Sequence, residues 1–282
     1  MNDNEVFIIG ANGQLGTALR ALYPNARSAD INELDITSCE SVQNFDWSGI
    51  KVLINAAAYT NVDGAETLEG RRTAWSVNAT SVSYLSEVSR EHGMIFVHVS
   101  SDYVFDGTAE MHTEEEGFAP LGVYAQTKAA GDIVASLAGS YYIVRTSWVI
   151  GQGKNFVRTM RELGEKGIDP SVVNDQVGRL TFTTDLAKGI KHLLETNQPY
   201  GTYNLTNDGD SVSWAEIAKE VYSLSGQDPS RVTGITTDKY YEGKEGIAPR
   251  PLQSTLSLDK IKATGFEPRE WKQVLREYLD QE

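Results

Sequence analysis

An α/β fold built on a doubly wound parallel sheet is predicted by three features of this 282-residue sequence. First, a short apolar run, Val6-Phe7-Ile8-Ile9, leads into Gly10-Ala11-Asn12-Gly13-Gln14-Leu15-Gly16 and then into the helical pattern Leu15, Ala18, Leu19, Leu22. Strand, glycine-rich turn and helix in that order are the context in which backbone N–H groups can face a phosphate. Second, further apolar runs at Val52-Leu53-Ile54, Met94-Ile95-Phe96-Val97-His98-Val99 and Tyr141-Tyr142-Ile143-Val144-Arg145 alternate with helical spacing, as buried parallel strands do. Third, the alternation breaks after Gly151. The sequence thus divides into residues 1–150 and a smaller α/β region, 151–282, some of whose segments are expected to return to the first.

Composition narrows the function. Apolar residues make up 40% of the chain, enough for a large core, and no apolar run approaches the roughly 20 residues of a membrane helix. The polar, acidic start Met1-Asn2-Asp3-Asn4-Glu5 does not read as a secretory signal. A net charge of −14 argues against nucleic acid and anionic membranes as partners. The single Cys39 permits no intramolecular disulfide and fits a reducing, cytoplasmic setting.

Along the chain, the spacing of glycines 10, 13 and 16 allows a tight turn, close approach of a pyrophosphate and close packing of helix on strand. Asp30, about twenty residues on, suits an adenosine ribose and would repel a 2′-phosphate, although nearby Arg27 could offset its charge; NADH and NADPH both stay open. Leu34-Asp35-Ile36-Thr37 reads as a helix start capped by Thr37. Asn55-Ala56-Ala57-Ala58, small residues at a strand's carboxyl end, fit a flat group lying against the backbone. Helical spacing runs from about Glu66 to His92, with Asn78 as a solvated or locally bonded residue near its middle. Later helices are expected over 155–165, 185–194 (capped by Thr184 or Asp185), 214–224 (capped by Ser213), 256–263 and 271–279.

The chemistry concentrates at Tyr124-Ala125-Gln126-Thr127-Lys128. Residues four apart share a helix face. A phenol titrates near pH 10, and a neighbouring ammonium favours phenolate, so the pair could exchange a proton with a carbonyl oxygen. The same spacing occurs on many surface helices; its weight here comes from the preceding Ser100-Ser101-Asp102-Tyr103-Val104-Phe105-Asp106-Gly107, hydroxyls at the end of a central strand.

In combination, GANGQLG at 10–16, NAAAYTNVDGAE at 55–66, SSDYVFDG at 100–107, YAQTK at 124–128, RTSWVIG at 145–151, VVNDQVGRLTFTTDLA at 172–187 and RPLQSTLSLDK at 250–260 resemble the extended short-chain dehydrogenase/reductases, and among them the dTDP-4-dehydrorhamnose reductase family. The resemblance runs nearly end to end and implies a Rossmann-like fold and reduction of the C4 keto group of dTDP-4-dehydro-L-rhamnose by NADPH or NADH. It implies Tyr124 as proton donor, Lys128 as the residue that holds the nicotinamide ribose and lowers the phenol's pKa, and Ser101, in place of the usual Thr, as donor to the sugar carbonyl. Gly10, Gly13, Gln14, Leu15 and Gly16 would cradle the pyrophosphate. Asp30, Asp35 and Ile36 would surround the adenosine, and Ala57, Ala58, Tyr59 and Thr60 would line the dinucleotide. Asp102 and Trp148 would contact the sugar nucleotide, and Arg250 would pair with its diphosphate.

Three further positions depart from the family pattern. Ala18 stands where some relatives place a glutamate that binds Mg²⁺ at a dimer interface, so neither that metal nor that dimer is expected, and the chain reads as a monomer or weak homodimer. Leu180 replaces a Pro and Ala125 a Gly, without loss of a chemical group. Two alternatives stay open: a reductase or epimerase of another nucleotide sugar, or a non-catalytic dinucleotide-binding regulatory subunit.

Overall fold

In the computed structural model, which describes residues 2–281, the predicted α/β class is observed. Strands β1 (Val6–Ile9), β2 (Arg27–Ala29), β3 (Val52–Asn55), β4 (Ile95–Ser101) and β5 (Tyr141–Thr146) join the late strand Gly201–Asn204 in one six-stranded sheet. Its order is Gly201–Asn204, β5, β4, β3, β1, β2, and every pairing is parallel. From β1 the chain steps one way to β2, whereas from β3 it steps the other way to β4 and β5. The carboxyl ends of β1 and β3 therefore flank the point where winding reverses, the position at which open α/β sheets bind ligands.

Strand side chains alternate between two cores. Val6 and Ile8 pack with Leu15 and Leu19 of helix α1 (Gln14–Leu22); Phe7 and Ile9 face the opposite layer with Leu53, Phe96, Val82 and Leu85. Both faces are covered, which is why these strands read as continuous apolar runs. A third cluster, including Ile150, Val157, Phe182, Ile217 and Trp271, forms the core of the later region. Small two-stranded pieces pair Val149–Ile150 with Thr181–Phe182, Ser171–Val173 with Thr233–Ile235, and Val177–Gly178 with Val212–Ser213. The helix Thr183–Glu195 packs Leu186, Ile190 and Leu193 into the core that holds α1.

Several local expectations are corrected. The helix after Ile36 is Cys39–Gln43 and is capped by Ser38, whose hydroxyl accepts from Ser41 N–H at 3.2 Å; Thr37 instead donates its hydroxyl to Asp35 at 2.7 Å. The stretch 66–92 is not one helix. Leu68–Trp75 and Ser81–Glu91 are separated by a π turn over Ser76–Thr80, and Asn78 within it is 1% exposed. The helix predicted from Asp185 begins at Thr183, with neither Thr184 nor Asp185 as its cap, and the one predicted from Leu256 begins at Asp259. Ser213 does cap Trp214–Leu224, in a reciprocal capping box with Glu216.

Candidate active site

The glycine turn is shaped by contacts only glycine permits. Gly10 sits at φ 76°, and a Cβ there would lie 2.7 Å from Ala57 N. A Cβ on Gly16 would run into the Gly10 carbonyl, so this glycine sets the close approach of α1 to β1 and does not itself line the cleft. Gly13 is the helix's N-cap and offers no side chain to its first N–H groups. Those N–H groups and the bare Ala56–Ala58 backbone opposite form a cradle suited to a pyrophosphate.

Two clefts meet at this cradle and share Asn12, Gly13, Ala56 and Ala58. The first, about 500 Å³, is lined by Gly10, Asp30, Leu34, Asp35, Ile36, Ala57 and Tyr59, among others. The second, about 870 Å³, is lined by Gln14, Leu15, Thr60, Ser101, Asp102, Tyr124, Lys128 and Trp148, with Trp214 closing one side. Residues separated by over a hundred positions in sequence thus face one continuous groove along the strand ends.

Tyr124 and Lys128 lie on helix α5 (Val123–Ala135). Gly122 cannot cap it; Glu66 does so from a distant turn, its Oε1 accepting from Val123 N–H at 2.8 Å. Four-residue spacing stacks Tyr124, Lys128 and Asp132 along one stripe. Asp132 is buried and receives Arg145 Nε at 2.9 Å, forming a buried ion pair behind Lys128. Lys128 is 2% exposed and donates its ammonium to the Val99 carbonyl at 2.8 Å. Burial pulls its pKa down to about 8, against the attraction of Asp132.

The phenol differs from expectation. Burial pushes Tyr124 up to about 12, opposed by the Ser101 hydroxyl, while the Asp102 and Asp132 carboxylates push it further up. In this structure desolvation outweighs any pull from Lys128, whose proton is directed at a backbone oxygen. Tyr103 packs edge-on against Tyr124, with ring centroids 5.5 Å apart. Ser101 Oγ donates to Asp102 Oδ1 at 2.9 Å and accepts from Tyr103 N–H at 3.2 Å. Asp102 is buried and burial raises its pKa to about 6; its Oδ2 has no hydrogen-bond partner.

Other candidates fall outside the groove. Arg250 is absent from its lining: its guanidinium donates to Asp63 Oδ2 and to the Ala248 carbonyl, both at 2.8 Å, and lies over the Tyr241 ring. Arg27 donates to the Asp46 carbonyl at 3.0 Å and sits over the Phe7 and Phe45 rings, away from Asp30. Among the described residues no group of three or more His, Cys, Asp or Glu is placed to hold a metal ion, and no helix is long and apolar enough to cross a membrane.

A family described as the RmlD substrate binding domain matches residues 4–282. The chain belongs to this family. It is 37% identical to a dTDP-4-dehydrorhamnose reductase of Aggregatibacter actinomycetemcomitans, over 96% of this chain and 97% of that one. A crystal structure of a dTDP-4-dehydrorhamnose reductase from Clostridium acetobutylicum is 38% identical, with a TM-score of 0.90 over 98% of each chain. A reductase of the same description from Bacillus anthracis, solved in complex with NADP, is 35% identical with a TM-score of 0.90, over 98% of this chain and 99% of that one.

Trp214, which lines this RmlD-family groove, and Asn78, buried behind it, carry no sequence signal. Trp214 stacks on Trp148 at 3.8 Å and 20°, and Trp148 adopts φ 47°, rare for a bulky side chain. Asn78 accepts from Tyr59 N–H at 2.8 Å and donates to Tyr59 O at 3.0 Å and to Thr127 Oγ1 at 3.1 Å, tying the cofactor-side loop to α5.

Proposed function

We propose that this chain reduces the C4 keto group of dTDP-4-dehydro-L-rhamnose to give dTDP-L-rhamnose, using NADPH or NADH. The observation that carries this reading is that Ser101, Tyr124 and Lys128 line one groove continuous with the glycine cradle, in a chain of the RmlD family. A bound reduced nicotinamide supplies the hydride. The chain's own residues do the rest.

Tyr124 gives its proton to the carbonyl oxygen as negative charge develops there. A phenol held at about 12 retains that proton at neutral pH, which is the form an acid requires. Ser101 donates to the same oxygen, a contact that strengthens towards the transition state. To do so its hydroxyl turns from Asp102, and Asp102 becomes free to accept from the sugar nucleotide. Lys128 holds the nicotinamide ribose, and the Asp132–Arg145 pair behind it fixes the floor of the site. Gly10, Gly13, Gln14 and Leu15 bind the pyrophosphate, with Gly16 setting the distance of α1. Asp30, Asp35, Ile36, Ala57, Ala58, Tyr59 and Thr60 hold the adenosine half and the linking ribose. Trp148 packs on the substrate. Arg250 would reach its diphosphate on leaving Asp63.

Residues 1–150 supply the dinucleotide side and 151–282 the substrate side. The protein acts in the cytoplasm as a monomer or weak homodimer, a reading supported by the free Cys39 and by Ala18, which packs against the core.

The test mixes purified protein with dTDP-4-dehydro-L-rhamnose and either reduced nicotinamide and follows loss of its absorbance. Stoichiometric oxidation with dTDP-L-rhamnose as product is expected, and Tyr124→Phe should lower turnover at least about a hundredfold with cofactor affinity unchanged. Oxidation only with a different 4-keto sugar would reassign the substrate. Cofactor binding without turnover on any such sugar would make the chain a regulatory subunit.

A further inference from the structure

We infer that Asp132 is a positioning residue for the reaction: pinned by Arg145 one turn beyond Lys128, it supplies the negative charge that keeps Lys128 an ammonium inside the core. This rests on the role of Lys128 given above. Asp132 does not line the groove, so it acts through Lys128 and not on a reactant. The two lie four residues apart on α5, one above the other, and both are buried, at 2% and 1% exposure. An ammonium at that place has lost its water and gains the Val99 carbonyl, at 2.8 Å. A neutral acceptor offsets part of that loss; an opposite charge within a helical turn offsets more.

Arg145 fixes that charge. Its Nε donates to Asp132 Oδ2 at 2.9 Å and its Nη1 to the Glu114 carbonyl at 3.2 Å, while its guanidinium lies over the Phe105 and Phe118 rings. Burial raises the proton affinity of Asp132, and Arg145 opposes the rise, so the acid stays ionised. The other groups around Lys128 bring no rival charge. His98 on β4 is buried, and burial together with the Lys128 charge holds its pKa well below the usual range, so it is neutral. Tyr124 keeps its proton, and Asp102 accepts from the Ser101 hydroxyl at 2.9 Å. Glu66 sits at the far, amino-terminal end of α5, on Val123 N–H. The helix Leu68–Trp75, the π turn and the helix Ser81–Glu91 bury no charged side chain. Burial lowers Lys128 to about 8, and Asp132 is the group that resists the fall.

The experiment is a pH titration of the cofactor-free protein, labelled with ¹³C at the lysine ε-carbons and followed by NMR, with Lys128→Met to assign the Lys128 signal. In the unaltered protein its midpoint should lie at about pH 8. Asp132→Asn keeps an acceptor for Arg145 and removes the charge, so the midpoint should fall by about one pH unit or more, a hold on the proton weaker by about tenfold. Asp132→Asn combined with Arg145→Gln removes both buried charges and covers the case in which the single variant does not fold; the midpoint should fall there too. In the loaded enzyme the alkaline limb of kcat should move down with it. An unmoved midpoint in either folded variant would overturn the inference, whatever the turnover. A midpoint that falls while the limb of kcat stays in place would overturn the positioning role. Absence of turnover in the unaltered protein would overturn the reductase reading and the positioning role with it, a failure that the cofactor-free titration keeps separate from the question of what sets the charge on Lys128.

Discussion

Lys128 donates its ammonium to the Val99 carbonyl at 2.8 Å from a position 2% exposed, so the chain places a cation inside its own core to serve the site. Burial lowers its pKa from 10.5 to about 8. Because the folded value lies below the unfolded one, the unfolded chain binds the extra proton between those two pH values. The cofactor-free fold is therefore fully penalised below about pH 8 and gains stability as pH rises towards 10.5. Lys128→Met should raise stability at pH 7 by about 1–3 kcal/mol and flatten that pH trend. The same variant should lose at least about a hundredfold in turnover. Thermal unfolding across pH 7–10.5 without nucleotide checks the first claim; a destabilised Lys128→Met would refute it.

Gly16 and Gly13 share a motif and differ in what a methyl group would meet. On Gly16 it would run into the Gly10 carbonyl and the Ala11 backbone, which cannot yield without moving α1 off β1. On Gly13 its only near neighbour is the Gly10 oxygen at 3.3 Å. Gly16→Ala should cost about 2–4 kcal/mol and abolish dinucleotide binding, whereas Gly13→Ala should cost about 1 kcal/mol or less. Urea midpoints of the two variants make the comparison, and similar losses would contradict the packing argument.

Trp148 and Trp214 behave as a unit. Trp148 stacks on Trp214 from a backbone at positive φ, and Gly178 leaves room for the ring, since a Cβ there would stand 3.0 Å from it. Trp214→Ala should raise the KM for the sugar nucleotide about tenfold or more while leaving dinucleotide affinity intact, and Trp214→Phe should restore most of it. Loss of the coupled tryptophan circular-dichroism band in Trp214→Ala would accompany the effect. An unchanged KM would show that the pair is structural only.

Much of the fold was legible because the central strands are buried on both faces and separated by glycine turns, so periodicity and punctuation agreed. The glycine turn, Asn55–Ala58 and Ser101 could be singled out because each lies at or just after a strand's carboxyl end, and Tyr124/Lys128 because residues four apart share a helix face. What failed were features set by tertiary contact. Thr37 looks as good a cap as Ser38 until its hydroxyl is seen on Asp35. Arg27 and Arg250 look free until Asp46 and Asp63 claim them. Lys128 looks like a partner for the phenol until its proton is seen on Val99; burial, aided by the Asp102 and Asp132 carboxylates, then explains why Tyr124 rises instead of falling. Trp148 and Trp214 are too far apart in sequence for any spacing rule to join them.

Asn78 shows the same limit and carries the last prediction. Asn78 lies buried in the π turn over Ser76–Thr80, and Gly131 of α5 makes room by lacking a Cβ that would strike the Asn78 carbonyl. Such turns tend to occur at functional sites. Asn78→Ala would strand the Tyr59 N–H and carbonyl without partners, at a cost of about 2–4 kcal/mol, and loosen the loop that lines the adenosine cleft. Thr127→Val removes only the third bond from Asn78, together with the Thr127 hydroxyl's own bond to the Tyr124 carbonyl, so it should cost about 1–2 kcal/mol. Asn78→Ala should therefore weaken dinucleotide binding and Thr127→Val should spare it. Equal effects of the two on nucleotide affinity would mean that the tie to α5, and not support of Tyr59, is what Asn78 provides.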